Sequence, residues 1–154
     1  FAIPLSEELK YVKFYSYLQR IRFEDRISIN FHIDAGLDSY KVPVFCIQTL
    51  VENAYVHGLE PKESSGELNI YLYEKYEYLH ISIEDNGIGF NEIPDFNNQA
   101  PSSKESGTSK GHTHVGLRNL NRRLILMYGP ECALHIESTP MVKTAISFKI
   151  PCEK

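Results

Sequence analysis

Apolar and polar residues alternate from 27 to 33, with Ile27, Ile29, Phe31 and Ile33 on one side. Side chains flip at every residue of a strand, so this segment is predicted as a strand with one buried face. The same alternation recurs over 67 to 74 and 78 to 85, joined by a short turn, and over 133 to 138 and 144 to 150. Between these segments the apolar spacing lengthens to that of a helix. Leu5, Leu9, Val12, Leu18 and Ile21 predict a helix over 5 to 22, with Ser6, Glu7 and Glu8 as its start signal. Val44, Ile47, Leu50, Val51 and Ala54 predict a second over 43 to 57, with Pro43 at its start and Gly58 just past its end. A third is predicted over about 115 to 128, stopped by Gly129 and Pro130. Closely spaced strands with helices grouped between them predict an α+β, two-layer sandwich: a mixed, mostly antiparallel sheet covered on one face by helices.

One strand carries an anomaly. In IEDNGIGF, residues 83 to 90, the alternation of Leu79, Ile81 and Ile83 continues to Asp85. A carboxylate is thereby placed in phase with the apolar face. An isolated buried carboxylate is costly, so it should meet a hydrogen-bonding partner. Gly87 and Gly89 let the backbone turn sharply or approach a ligand closely. A ligand with donor groups, entering a pocket floored by this strand, accounts for both features.

Bulk properties narrow the setting. A chain of 154 residues suggests one domain with a real core. A net charge of -4 gives no sign of a nucleic-acid or anionic-membrane surface. No apolar run approaches the ~20 residues of a membrane span, and no signal peptide is visible. Phe1, rather than Met, reads as the start of a fragment of something longer. Cys46, Cys132 and Cys152 form neither a zinc pattern nor a disulfide framework, which fits a reducing cytosolic setting.

Two further stretches carry candidate chemistry. LVENAYVHG, residues 50 to 58, puts Asn53 and His57 one helical turn apart, with Glu52 about 100° around from Asn53. Such residues also decorate a merely solvated helix flank. Residues 91 to 114 form a long polar stretch rich in Asn, Ser, Gly and Lys, of the length usual in functional lids. It ends in SKGHTHVGLRNL, residues 109 to 120, where Gly111 and Gly116 flank the start of the third helix. Backbone amides at a helix N-terminus reached through such a loop form an anion site, for which phosphate is the natural guest. Lys110 and Arg118 add positive charge. His112 and His114 lie close together, but no third ligand has the spacing a metal needs.

The order of these features resembles the GHKL ATP-binding family, which includes gyrase, the large heat-shock chaperone, histidine kinases and MutL. It is most similar to the YesM/LytS-like sensor histidine kinases. LVENAYVHGLEPK (50 to 62) resembles their N-box, EDNGIGF (84 to 90) their first glycine box, and THVGLRNLNRRL (113 to 124) with YGPE (128 to 131) their second. The resemblance spans essentially the whole chain and implies a Bergerat-type ATP-binding fold. It implies that residues 1 to 24 are the end of a dimerisation and phosphoacceptor region or a linker helix. Residues 25 to 154 would then be the catalytic domain, with an ATP lid at about 91 to 114. It implies that Asp85 accepts a hydrogen bond from the adenine amino group, with Gly87 and Gly89 leaving room for the purine. Asn53 would bind Mg²⁺, Glu52 would be a general base or position water, and His57 would lie near the phosphates. Lys110, Gly111, Gly116 and Leu117 would cradle the phosphates, and Thr144 matches the Gly-Thr element of the last strand.

The chain departs from the family pattern at three places. His112 and His114 stand inside the second glycine box, Lys143 precedes the threonine, and Val56 precedes the N-box histidine. None of the six histidines lies in the Asn-Pro-His-Phe-like context of a phosphoacceptor. The resemblance therefore implies a domain that binds Mg-ATP without phosphorylating itself. Its phosphoryl group would go to a histidine outside these residues, in the same chain or a dimer partner, and then to a response regulator. The parent would be a membrane-anchored homodimer with this domain in the cytoplasm. A GHKL ATPase clamp and a degenerate docking module are the alternatives; HGLEPK and YGPE argue against the clamp.

Overall fold

In the computed structural model, which describes residues 1–96 and 114–154, the alternating segments form strands close to their predicted bounds. They are β2 (Ile27–Ile33), β4 (Gly66–Lys75), β5 (Tyr78–Asp85), β6 (His135–Thr139) and β7 (Lys143–Pro151). Together they make one sheet in the order β2-β4-β5-β7-β6. Only β2 and β4 run parallel; the other three pairings are antiparallel. A parallel pair needs a long crossover. Here it contains α2 (Cys46–Asn53), which continues as a π-helical turn over Ala54–Leu59. The other helices are α1 (Leu5–Phe23) and α3 (Val115–Tyr128).

Register explains the core. Ile70, Ile83 and Ile146 lie side by side across three strands, as do Leu72, Ile81 and Phe148. All six are buried, together with Leu5, Leu9 and Val12 of α1, Ile47, Leu50 and Val51 of α2, and Leu117, Leu120 and Leu124 of α3. The opposite face of β5 carries His80, Ser82 and Glu84, each only partly buried. This is the two-layer α+β sandwich expected, with a mixed sheet and its helices on one side.

Four details differ from the pattern. A small second sheet pairs β1 (Ala2–Pro4) with β3 (Lys41–Pro43), so Pro43 closes a strand and does not open α2. Three-residue strands are too short to show an alternation. Leu18 and Ile21, grouped by helical spacing with Leu5, Leu9 and Val12, are 45% and 63% exposed. Ser6 caps nothing at the start of α1; the Leu5 and Ser6 amides donate instead to the Tyr40 and Asp38 carbonyls. Finally, the last part of the second helix is π rather than α.

Glu8, which reads as a start signal for α1, serves α2. Its carboxylate is fully buried and accepts the amides of Phe45, Ile47 and Gln48 at 2.8, 3.1 and 3.0 Å. Phe45 precedes α2 in the left-handed region, at φ 63°, and has no cap of its own. A carboxylate from another helix thus satisfies the orphan donors of the α2 N-terminus and faces its positive end. Burial raises the Glu8 pKa, and the three amides and the Arg123 charge oppose that rise. Arg123 of α3 also donates to the Val44 carbonyl at 2.7 Å, so three helices meet at one point.

Glu8→Ala is expected to lower unfolding free energy by about 2–4 kcal/mol, the cost of stranding buried donors. Glu8→Gln, which keeps one acceptor, should cost less. Urea unfolding of both variants checks this, and a wild-type midpoint for Glu8→Ala would sink it.

Candidate functional site

Asp85 ends β5 opposite Leu68 of β4 and Thr144 of β7. It occupies the last row of the inner, apolar face, as its phase predicts, and is 6% exposed. Its Oδ1 accepts the Gly87 amide at 2.9 Å. Burial pushes its pKa from the ordinary 3.8 up to about 6, against the opposing pull of the Gly87 amide and the Lys62 charge. The carboxyl floors a cavity of about 380 Å³ lined by Asn53, His57, Gly58, Ile88, Phe90 and Thr144, among others.

The π turn brings the end of α2 onto the Asp85 turn. A Cβ on Gly58 would lie 2.6 Å from Asp85 Oδ1, and one on Gly87 would lie 2.1 Å from the Gly58 carbonyl. Neither position has room for a side chain. The contact is locked by the Ile88 amide, which donates to the Gly58 carbonyl at 2.9 Å. Asn86 fixes the other side: its Oδ1 accepts the Glu67 amide at 2.7 Å, and its carbonyl accepts Lys62 Nζ at 2.7 Å.

Gly89 adopts φ +76° beside Ser138 of β6 and Pro140 of the β6–β7 turn. The Phe90 amide donates to Ser138 Oγ at 3.1 Å, and Ser138 Oγ shares a 2.7 Å hydrogen bond with Thr144 Oγ1. Thr144 is buried at the cleft wall. The segment after β5 is therefore tied both to α2 and to the last hairpin.

A second cavity, of about 190 Å³, is lined by Thr49, Glu52, Asn53, Val56, His57, Gly116 and Leu117. Asn53 and His57 border both cavities. Gly116 and Leu117 belong to the first turn of α3, whose N-terminus carries the positive end of the helix dipole. Burial lowers the His57 pKa while the Glu60 charge opposes this. The His57 ring lies 5.9 Å from that of His114, which is 5.3 Å from Phe90. Glu52 is exposed, and its Oε1 accepts Gln48 Nε2 at 2.9 Å.

The structure thus gathers Glu52, Asn53, His57, Gly116 and Leu117 at one end and Asp85, Gly89 and Thr144 at the other. Gly87 lies behind the cleft, against Gly58, and not on its wall. Lys110 and Gly111 lie outside the described residues, as does most of the expected lid. Sequence reasoning missed Gly58, read there only as a helix stop, and Ser138 and Lys62. Gly58 meets Asp85 across 27 residues of chain, and no local pattern signals such a contact. Among the described residues no group of three or more His, Cys, Asp or Glu side chains could hold a metal. No described helix is long and apolar enough to cross a membrane.

A sheet with helices on one face and a cleft at the end of its central strand define a class that the comparisons identify. Residues 42–154 match the family of histidine kinase-, DNA gyrase B-, and HSP90-like ATPases, and the chain belongs to that family. ATP is accordingly the nucleotide this kind of domain binds. The chain is 36% identical over 151 residues to the sensor protein LytS of Bacillus anthracis, and 32% identical over 154 residues to LytS of Bacillus subtilis (strain 168). These matches cover 97% and 99% of this chain but 25% of each relative, so it spans about a quarter of their length. Among solved structures, the histidine kinase domain of the Erythrobacter litoralis EL346 blue-light activated histidine kinase has a TM-score of 0.65 at 21% identity. That likeness covers 97% of this chain and 61% of the other. The catalytic domain of histidine kinase ThkA has a TM-score of 0.65 at 15% identity, covering 98% and 96%. Both likenesses support the fold expected from the sequence.

The raised Asp85 pKa has a sign that can be checked. Between the ordinary 3.8 and about 6, the folded protein holds this proton more tightly than the unfolded chain. Its contribution to stability is therefore full below that window and lost as pH rises through about 6. Asp85→Asn is expected to raise ligand-free stability at neutral pH by about 1–3 kcal/mol and to flatten this part of the profile. Urea unfolding at acid and neutral pH measures it; a variant less stable than wild type at neutral pH contradicts the assignment.

Proposed function

We propose that this domain is the ATP-binding catalytic domain of a sensor histidine kinase, and that it presents the γ-phosphoryl group of ATP to a histidine outside these residues. The observation that carries the reading is the buried Asp85 carboxyl at the floor of the main cavity, in a chain whose relatives are LytS sensor proteins. A carboxylate only accepts hydrogen bonds, so it suits a donor such as the adenine amino group. Gly89 and Ile88 border the space for the purine, and Thr144 closes its far wall. Gly87 supports this end from behind by seating the turn on Gly58.

The phosphates would run from that floor toward the smaller cavity, past Asn53 and His57. The first-turn amides of α3, around Gly116 and Leu117, suit an anion. Lys110 and Gly111 are the sequence's further candidates for this task. Asn53 offers an amide oxygen where both cavities meet, which fits Mg²⁺, a cation that takes few protein ligands and completes its shell with phosphates and water. When bound, Mg²⁺ supplies charge neutralisation across the phosphates. Glu52, which lines the smaller cavity, would orient or deprotonate an incoming group. His57, with its pKa lowered by burial, is neutral at physiological pH and can hydrogen-bond a phosphate oxygen without competing for the metal's charge.

The acceptor histidine, its dimer partner and the response regulator belong to the parent protein, which we place at the membrane with this domain in the cytoplasm. Residues 1 to 24 would join the domain to its phosphoacceptor region. Phe14, Tyr17, Leu18 and Ile21 support this, forming an exposed apolar stripe at i, i+3, i+4 and i+7 spacing on α1.

Calorimetry of ADP and a non-hydrolysable ATP analogue, with and without Mg²⁺, tests the reading. Wild type should bind both, the analogue more tightly with Mg²⁺, and Asp85→Asn should bind at least about 100-fold more weakly, as expected for a buried charged acceptor lost. Absence of binding by wild type overturns the nucleotide cleft. The domain alone, incubated with ATP, should yield no phosphohistidine by mass spectrometry. Sustained ATP hydrolysis by the domain alone would instead favour an ATPase clamp.

A further inference from the structure

Residues 60 to 65 join the π turn to β4 and are gripped from the end of α1. Arg26, in the short 3-10 turn Glu24–Arg26, donates through Nη1 to the Leu59 carbonyl at 3.2 Å and the Ser64 carbonyl at 3.3 Å, and also to the Lys62 carbonyl. Leu59 is fully buried, so the loop is pinned at its base. The Lys62 side chain leaves this loop and reaches the Asn86 carbonyl at 2.7 Å. Asn86 is the residue after Asp85, and its own amide and Oδ1 bond with the Glu67 backbone at the start of β4.

We propose that Lys62, held in place by Arg26, is a positioning residue for nucleotide recognition. Its ammonium fixes the turn after β5 and keeps a cation beside the carboxyl that meets the base. The inference rests on reading Asp85 as that base-reading group. It gives Lys62 of the HGLEPK stretch a task distinct from the packing of Gly58 on Asp85.

Electrostatics adds to the geometry. Burial drives Asp85 toward its neutral form, and Lys62 is a charge that opposes this. Among the described residues, the other titratable groups lining the cleft are His57 on the π turn, Glu92 after β5 and His114 before α3. The neighbouring strands present neutral Leu68 and Thr144 to Asp85. Glu84 points to the opposite face, where it lies 3.5 Å from Lys143. Removing the Lys62 charge leaves the buried carboxyl with the Gly87 amide as its stabilising partner. The fraction ionised near neutral pH then falls, and with it the acceptor for the base.

The test is calorimetric titration with ADP across roughly pH 5 to 8 for wild type, Lys62→Met, Lys62→Arg and Arg26→Met, with thermal unfolding of each. Wild-type affinity should fall as pH drops through about 6. Lys62→Met should weaken ADP about tenfold near neutral pH and raise the pH of half-maximal affinity. Lys62→Arg should restore both, and Arg26→Met should move both in the same direction by less. A purely structural loss would lower the melting temperature and leave that pH midpoint in place, which overturns the inference. So does Lys62→Met with wild-type affinity. Wild type binding no ADP at any pH overturns the cleft reading and the inference together, so the two failures are distinguishable.

Discussion

A carboxyl group withdrawn from water keeps its charge only if nearby dipoles and cations replace the lost hydration. Asp85 sits in that condition, in the same row as Leu68 and Thr144 and on the same face as the core. One amide and one ammonium partly compensate it, and the shortfall leaves a group that titrates near 6 instead of near 3.8. The surrounding backbone is arranged around this group. Gly58 gives up a side chain so that the carboxyl has space, and Gly87 gives up one so that the turn can sit on Gly58. Local stability is traded for an acceptor at the floor of the cleft, a common bargain at binding sites.

The element that brings polar groups to that floor is α2, and it is fixed at both ends by residues from elsewhere. At its start, Glu8 of α1 gathers three amides and Arg123 of α3 holds the Val44 carbonyl. At its end, the Ile88 amide holds the Gly58 carbonyl. Asn53 and His57 lie between these anchors. Their positions are set by the packing of three helices on the sheet. A site held in this way stays formed without its ligand, which reduces the ordering cost of binding.

Much of this is legible in the sequence. The period-two alternation locates β2 and β5 to the residue, because the apolar face of each strand packs on the core and the other does not. The same alternation puts Asp85 on the inner face. Glu8 is visible only as an acid near a helix start; that it turns inward to cap a different helix depends on packing between segments 37 or more residues apart. The left-handed Phe45 and the two three-residue strands carry no pattern at all. Leu18 and Ile21 fall on the side of α1 opposite Leu5, Leu9 and Val12, while Tyr15, Ser16 and Phe23 carry the inner face to the end of the helix, so the two mark a separate, exposed stripe. The smaller cavity is legible as far as Asn53, His57, Gly116 and Leu117, which helical spacing and a helix N-terminus make candidates.

The π turn is not legible, because hydrophobic spacing records which face is buried and not which carbonyl each amide reaches. Its signature is the Glu60 amide bonded to the Tyr55 carbonyl, five residues back, at 2.7 Å. Such a turn accommodates one residue more than its α-helical equivalent. Removing a single residue between Asn53 and Gly58 would let the segment close as ordinary helix, and because the wide turn takes up its extra residue locally, the chain beyond Leu59 would keep its place. The change would be confined to the cleft wall, where Asn53 and His57 would stand three residues apart instead of four. Chain length between Asn53 and Gly58 is thus a determinant of the wall in its own right: a relative with one residue fewer here would fold the same sheet and space these two side chains differently.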